Sequence, residues 1–278
     1  MLKGEIRPII KNANSSRNVS KNYRPVMNSS NFLKIFDYCI LSSLGCYIMP
    51  NVHQFGFRKN TNCVTAITIL KETVQNYNRS GSKVHCAMVD LSKAFDMVNH
   101  NILLSKLREK GIPLIMVKIL RHMLENTYVN VSFGGFKGED WKVNNGVRQG
   151  GILSPYLFNL YIDELIDSVS KCDIGCKLGV YPSNIICYAD DILLCAPTAT
   201  GLQCLVGMVC DKLNDLCLPI NDKSVYILFN SKVGTNRKFS LHINEDILEN
   251  STECVYLGTV LSEDFKINLD VRLKWPMK

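Results

Sequence analysis

The stretch that decides the fold is "ICYADDILLCA", residues 186–196. Two adjacent carboxylates, Asp190 and Asp191, stand between the apolar runs Ile185-Ile186-Cys187-Tyr188 and Ile192-Leu193-Leu194-Cys195. Each run has the length and β-branched character of a buried strand, so the segment reads as a hairpin with Ala-Asp-Asp at its tip. Asp is a common turn residue, which would be reason enough for one of them. Two so close repel and resist joint ionisation unless a cation or hydrogen bonds compensate, which points to a divalent metal and a further carboxylate elsewhere.

That carboxylate is Asp90. "KVHCAMVDL" (83–91) is a nearly continuous apolar run, read as a buried strand ending at Asp90. Strand ends in one sheet can bring residues a hundred positions apart to one edge. Three aspartates at two strand tips offer hard oxygen ligands, and two Mg²⁺ ions held by such ligands align a hydroxyl nucleophile and a pyrophosphate leaving group. This is the chemistry of nucleotidyl transfer.

Around these runs the chain has the composition of a globular protein with a sizeable core: 278 residues, 46% hydrophobic and 21% charged. That excludes disordered and collagen-like classes. The longest apolar stretch, Tyr38 to Met49, is too short to span a bilayer and nothing resembles a signal peptide, so the reading is a soluble protein of the cytoplasm or nucleus, with no membrane partner. The twelve cysteines fall mostly in apolar runs (Cys187, Cys195, Cys204, Cys210) without zinc spacing, and are read as reduced core thiols. The net charge of +7 is concentrated: residues 1–60 hold nine Lys/Arg against Glu5 and Asp37, and the remainder balances. A basic block on a neutral body suggests nucleic acid or nucleotide phosphates as partner; a solvated basic face is the plainer alternative.

Along the chain, "IRPII" and "YRPVM" read as two strands joined by a basic loop. A helix is expected from Thr61 to Asn78, and two helical pieces over 103–124 divided at Gly111 and Pro113. A hairpin around "GGFKG", a helix after Pro155, a helix carrying Leu202 to Leu216, a strand "SVYILF" and a final strand near "CVYLGTVL" complete the pattern. Strands and helices alternate without a regular βαβ rhythm, which favours a mixed α+β fold.

"AMVDLSKAFDMVNH" (87–100), "GVRQGGILSPYLFNLYIDEL" (146–165) and "YADDILL" (188–194), in this order and spacing, resemble motifs A, B and C of the reverse transcriptases of LINE-type (non-LTR) retrotransposons. The likeness extends to "NYRPV" and "HQFGFRKNTNCVTAI" upstream and to "LPINDKSVYILF" and "YLGTVL" downstream, from about Gly4 to about Ser262. Seven collinear matches leave little room for chance.

The resemblance implies an α+β right-hand polymerase of fingers and palm with a mixed or antiparallel palm sheet. Its expected divisions are fingers over 1–85, palm motif A over 86–110, a fingers–palm connection over 111–147, palm motifs B to E over 148–265, and the start of a truncated thumb or a tail over 266–278. It makes Asp90, Asp190 and Asp191 the catalytic metal ligands for two Mg²⁺ (or Mn²⁺), with Asp191 the less direct one because alternation turns neighbouring side chains apart. Phe95 falls where similar enzymes place an aromatic against the 2′ position of the incoming sugar; a plain core Phe is the alternative. Asp96, Asn99 and His100 read as structural capping groups. Gln149, Gly150 and Gly151 match the segment that meets nucleotide and template. Lys11 and Arg24 match cations for the triphosphate, and Lys223 the lysine that protonates leaving pyrophosphate. Arg58 is placed to hold the fingers together or touch template, and Tyr256-Leu257-Gly258 to grip the primer.

Cys217 departs from the pattern, since similar sequences carry Gly there. The family also carries an endonuclease domain before this region and a thumb after it, so the reading is a domain truncated at both ends. The implied partners are an RNA template, a DNA primer and dNTPs. A catalytically silent nucleic-acid-binding remnant is the alternative; a metal-dependent nuclease would leave "RQGGILSP" and "YLG" without a job.

Overall fold

The computed structural model describes residues 2–11, 13–229, 239–244, 246–248 and 250–264. The expected tail or thumb start over 266–278 lies outside the described residues. The chain opens with β1 (Leu2–Ile10), β2 (Tyr23–Ser29), α1 (Asn31–Leu44), α2 (Cys63–Arg79) and β3 (Val84–Val89). A single turn, α3 (Ala94–Met97), leads to α4 (His100–Glu109), α5 (Leu114–Glu125), β4 (Thr127–Phe133), β5 (Phe136–Lys137) and β6 (Trp141–Lys142). Next come α6 (Ser154–Ser170), β7 (Lys177–Leu178), β8 (Tyr181–Pro182), β9 (Ile185–Tyr188), β10 (Asp191–Ala196) and α7 (Ala199–Asp215). The last described elements are β11 (Val225–Phe229), β12 (Leu241–Ile243), β13 (Asp246–Leu248), β14 (Asn250–Ser251), β15 (Glu253–Tyr256) and β16 (Thr259–Ser262).

These elements form two interleaved units, residues 1–50 with 93–162 and residues 51–92 with 163 onward. The expected boundary between residues 85 and 86 falls inside β3, which stays whole in the second unit.

In the first unit, β1 pairs antiparallel with β2 from Gly4↔Ser29 to Ile10↔Tyr23 and parallel with β4 from Leu2↔Thr127 to Ile6↔Val131. The two strands and the loop between them were legible in the sequence; their pairing with each other and the parallel partner, more than a hundred residues away, were not. Asn99 caps α4 by accepting from Asn101 and Ile102 N–H, Gly111 ends it at φ +72°, and Pro113 stands at the N-cap of α5.

In the second unit the sheet order is β14-β11-β3-β10-β9, with β3 central and antiparallel to both neighbours. Alternation sends Cys86 and Met88 to one face, where Ile67, Leu70 and Val74 of α2 pack, and Ala87 and Val89 to the other, where α7 lies. Burial on both faces is why β3 reads as a continuous apolar run. α2 starts one residue later than expected: Asn62 caps it, while the Thr61 hydroxyl donates to the Phe55 and Arg58 carbonyls. All twelve cysteines are free, with Cys86, Cys187 and Cys195 in the core, but Cys204, expected in a core run, is exposed on α7. The final stretch is a hairpin, β15–β16, because Leu257 and Gly258 both take positive φ (+49° and +75°) between paired Tyr256 and Thr259.

Candidate active site at the tips of β3 and the β9–β10 hairpin

Antiparallel register fixes the carboxylates. Ile192 pairs with Val89 and Asp191 with Tyr188, so Asp191 opens β10 directly beside the end of β3, where Asp90 follows Val89. Ala189 and Asp190 form the two-residue turn between β9 and β10. All three aspartates lie in the second unit and are half-buried. Burial pushes the Asp191 carboxyl up to about 7, and the charges of Asp190 and Asp90 push in the same direction. The three carboxylates therefore share one electrostatic field.

Each tip has its backbone clamped by hydrogen bonds from a segment remote in sequence. On the β3 side, Asn221 N–H donates to the Asp90 carbonyl (2.8 Å) and the Ser224 hydroxyl accepts from Asp90 N–H (3.1 Å). Ser92 N–H donates to the Pro219 carbonyl (2.8 Å), so the 219–224 turn grips both sides of Asp90. Lys223 sits exposed on that same turn, its N–H bonded to Asn221 Oδ1. On the hairpin side, the buried Gln54 accepts from Ala189 N–H and donates to the Ala189 carbonyl. Neither Gln54 nor Ser224 was singled out from the sequence. Gln54 lies in "HQFGF", where its only signal was an amide flanked by residues that pack.

Among the described residues no group of three or more His, Cys, Asp or Glu side chains stands arranged as a ready metal cage. The donor set still fits a hard divalent ion: the ligands are carboxylate oxygens only, and their mutual repulsion is what a cation relieves.

The remaining expected residues occupy defined places. Lys11 and Arg24 are both exposed at one end of the β1–β2 hairpin, where Lys11 N–H bonds the Asn22 carbonyl and Arg24 pairs with Ile9. That register puts both on the same face of the ribbon. Phe95 is half-buried and stacks on Phe158 of α6, ring centroids 4.6 Å apart at 19°. Gln149 Nε2 donates to Asp96 Oδ1 (2.9 Å), and burial raises the Asp96 carboxyl. His100 Nε2 meets the Gly146 carbonyl at 2.8 Å. Of the three residues read as capping groups, Asn99 caps α4, while His100 holds the Gly146 carbonyl and Asp96 accepts from Gln149. Gly150 has φ +94°, and a Cβ there would lie 3.2 Å from the Met27 carbonyl oxygen, a conformation and approach that suit glycine. Gln149, Asp96, His100, Met27 and Trp141 line a cavity of about 280 Å³ in the first unit.

Arg58 folds back, donating to the Val52 carbonyl at 2.7 Å and closing its own loop. Tyr256 is buried in the core with its hydroxyl on the Ile186 carbonyl, so only Leu257 and Gly258 of that motif reach the surface. Arg148, within motif B, was also overlooked: its guanidinium pairs at 2.7 Å with Asp37 of α1, which is 1% exposed. Among the described residues no helix is long and apolar enough to cross a membrane.

An antiparallel β3–β10–β9 sheet carrying aspartates at the tips, with helices on both faces, is the sheet arrangement of a right-hand polymerase palm. The chain belongs to the reverse transcriptase (RNA-dependent DNA polymerase) family, which it matches over residues 10–261. Its similar proteins include the Pol polyprotein of the type-2 retrotransposable element R2DM of Drosophila melanogaster, 29% identical over 201 residues, covering 72% of this chain and 19% of that protein. The Pol polyprotein of an R2 element of Nasonia vitripennis is 25% identical over 236 residues, covering 85% of this chain and 23% of the relative. This chain thus spans about a fifth of the length of these relatives. Among solved structures, telomerase from Candida tropicalis in complex with the TWJ fragment of telomeric RNA is similar, with a TM-score of 0.66, 12% identity and coverage of 99% of this chain and 45% of that one. At such identity the likeness establishes the fold.

Proposed function

We propose that the chain is the RNA-directed DNA polymerase domain of a retrotransposon, transferring deoxynucleotides from dNTPs to a primer 3′-hydroxyl along an RNA template. The observation that carries this is the placement of Asp90, Asp190 and Asp191 at two clamped strand tips within one electrostatic field. The reading assigns Asp90 and Asp190 as the principal ligands of two Mg²⁺ (or Mn²⁺) ions, with Asp191 the less direct one. When bound, such ions activate the primer hydroxyl and neutralise charge on the leaving pyrophosphate. Asp191, whose carboxyl half-titrates at about 7 without a cation, gives up its proton as positive charge arrives.

The other residues take roles their surroundings support. Lys11 and Arg24, exposed on one face of the fingers ribbon, bind the triphosphate; the Arg fork suits its oxygens. Phe95, braced by Phe158, presents a fixed ring edge that a 2′-hydroxyl would meet, selecting deoxynucleotides. Gln149, oriented by Asp96, and the glycine backbone at Gly150 contact nucleotide and template. Lys223, on the turn that grips Asp90, gives a proton to pyrophosphate. The Leu257–Gly258 turn holds the primer end, and Arg58 stabilises the loop that precedes α2.

Primer extension on poly(rA)/oligo(dT) with dTTP and Mg²⁺ or Mn²⁺ tests the reading. Wild type is expected to extend and the Asp190→Ala/Asp191→Ala variant to fail. Hybrid binding by folded wild type without extension would instead identify a silent nucleic-acid-binding domain, and cleavage without nucleotides a nuclease.

A further inference from the structure

The turn that carries Asp190 is closed by the Tyr188–Asp191 pair and is also held from outside the hairpin. Ala189 has φ +55°, the left-handed region that disfavours a residue with a Cβ. A two-residue hairpin turn has few internal hydrogen bonds to hold such a conformation, yet Ala189 is buried. What holds it comes from a segment 135 residues earlier. The residues around Gln54 run along the outer edge of β9: Cys187 N–H donates to the His53 carbonyl (2.9 Å) and Phe55 N–H to the Cys187 carbonyl (2.8 Å). That pairing delivers the Gln54 side chain to the turn. Its Oε1 accepts from Ala189 N–H (2.8 Å) and Gly56 N–H (2.8 Å), and its Nε2 donates to the Ala189 carbonyl (3.2 Å).

One amide thus ties down both polar backbone groups of the residue that precedes Asp190. Gly56 makes the approach possible, because a Cβ there would lie 2.4 Å from Ala189 N and 3.0 Å from the Tyr188 carbonyl carbon. Gln54 is 1% exposed, so the clamp works away from water, where an unmatched amide would be expensive.

We infer that Gln54 is a positioning residue for nucleotidyl transfer: by fixing both backbone groups of Ala189 it sets the direction of the Asp190 carboxylate. In this role Gln54 acts through the Ala189 backbone, to which its side chain is bonded. The inference rests on the polymerase reading for its catalytic meaning, but its structural content is the orientation of a metal ligand and can be read separately.

The experiment compares wild type, Gln54→Met, Gly56→Ala and, as the reference for a lost ligand, Asp190→Asn. Gln54→Met keeps side-chain length and removes the hydrogen bonds; Gly56→Ala keeps the amide and pushes the segment off the turn. Mn²⁺ binding is measured by electron paramagnetic resonance without nucleotide, alongside Mg²⁺-dependent single-turnover extension, hybrid affinity and thermal melting. Outer-shell supports of metal ligands are worth about 10- to 100-fold in affinity or rate, so both variants should bind Mn²⁺ and extend more weakly by about that factor. Hybrid affinity should stay within about twofold of wild type, because neither variant touches the nucleic-acid contacts. Wild-type Mn²⁺ affinity in a folded Gln54→Met would overturn the inference, as would a wild type that binds no Mn²⁺. Loss of cooperative melting in both variants would also overturn it, since the clamp would then serve folding alone. A wild type that binds Mn²⁺ but does not extend refutes the polymerase reading, and the Mn²⁺ comparison still decides the role of Gln54.

Discussion

Replacing Asp191 with an asparagine should make the protein more stable above neutral pH while weakening its chemistry. The Asp191 carboxyl ionises at 3.8 in its ordinary state and at about 7 in the fold, chiefly because of burial, with Asp190 and Asp90 adding to it. The sign follows from proton uptake. Between about pH 4 and 7 the folded form holds a proton that the unfolded chain has released, so stability falls as pH rises through this window and levels off above it. A difference of about 3 in pKa corresponds to about 4 kcal/mol of lost stability at pH 8. An amide in place of the carboxyl carries no charge, so Asp191→Asn should recover much of that, raising Tm at pH 8 by about 5–10 °C for a chain of this size. At pH 5 the gain should shrink to about a third, because little of the ionisation penalty has developed. Melting by circular dichroism from pH 5 to 8, with chelator, measures both. Equal or lower Tm for Asp191→Asn at pH 8, or a gain independent of pH, would refute the reasoning.

Three further outcomes follow from other parts of the molecule. Arg148→Met strands a carboxylate that is 1% exposed and should destabilise the first unit by about 3–5 kcal/mol in urea unfolding, whereas Arg148→Met with Asp37→Leu should recover most of the loss. Cys217 stands at φ +54° just past α7, with Leu218 N–H bonded to the Leu213 carbonyl, so Cys217→Gly should stabilise by about 0.5–1 kcal/mol; a lower Tm would show that the left-handed cap costs nothing here. Phe95→Val should raise incorporation of ribonucleotides relative to deoxynucleotides by about 10-fold or more, read from kcat/KM for rUTP and dTTP on poly(rA), and an unchanged ratio would leave Phe95 as a packing residue.

What the sequence made legible follows from locality. The Asp190-Asp191 hairpin, β3 and the helices α2, α4, α5, α6 and α7 all rest on periodicity and turn chemistry within one segment, and each stands close to its expected place, whereas the single turn α3 was not expected. Asp90 could be paired with the hairpin because it ends a buried strand, which limits where it can lie. The supports of the site were not legible, because they are tertiary. Gln54 looks like any polar residue among apolar neighbours until β9 is laid beside it, and Ser224 like any turn serine until Asp90 N–H is placed against its hydroxyl. Cys217 is the instructive middle case: the departure from Gly was visible, and the positive φ gives it a physical meaning. The parallel β1–β4 pairing left no trace in either strand, since parallel registration depends on everything folded between them.

We propose that the ends of β3 and of the β9–β10 hairpin together hold the ions of nucleotidyl transfer. Iron-mediated cleavage tests it most directly: Fe²⁺ replaces Mg²⁺ on a complex with poly(rA)/oligo(dT) and dTTP, ascorbate is added, and the backbone cuts are mapped by mass spectrometry. The account predicts cuts beside Asp90 and within Ala189–Asp191 that appear together, are suppressed by excess Mg²⁺ and are absent in Asp190→Asn. Mg²⁺-suppressible cuts at other positions, or cuts at one tip without the other, would contradict it.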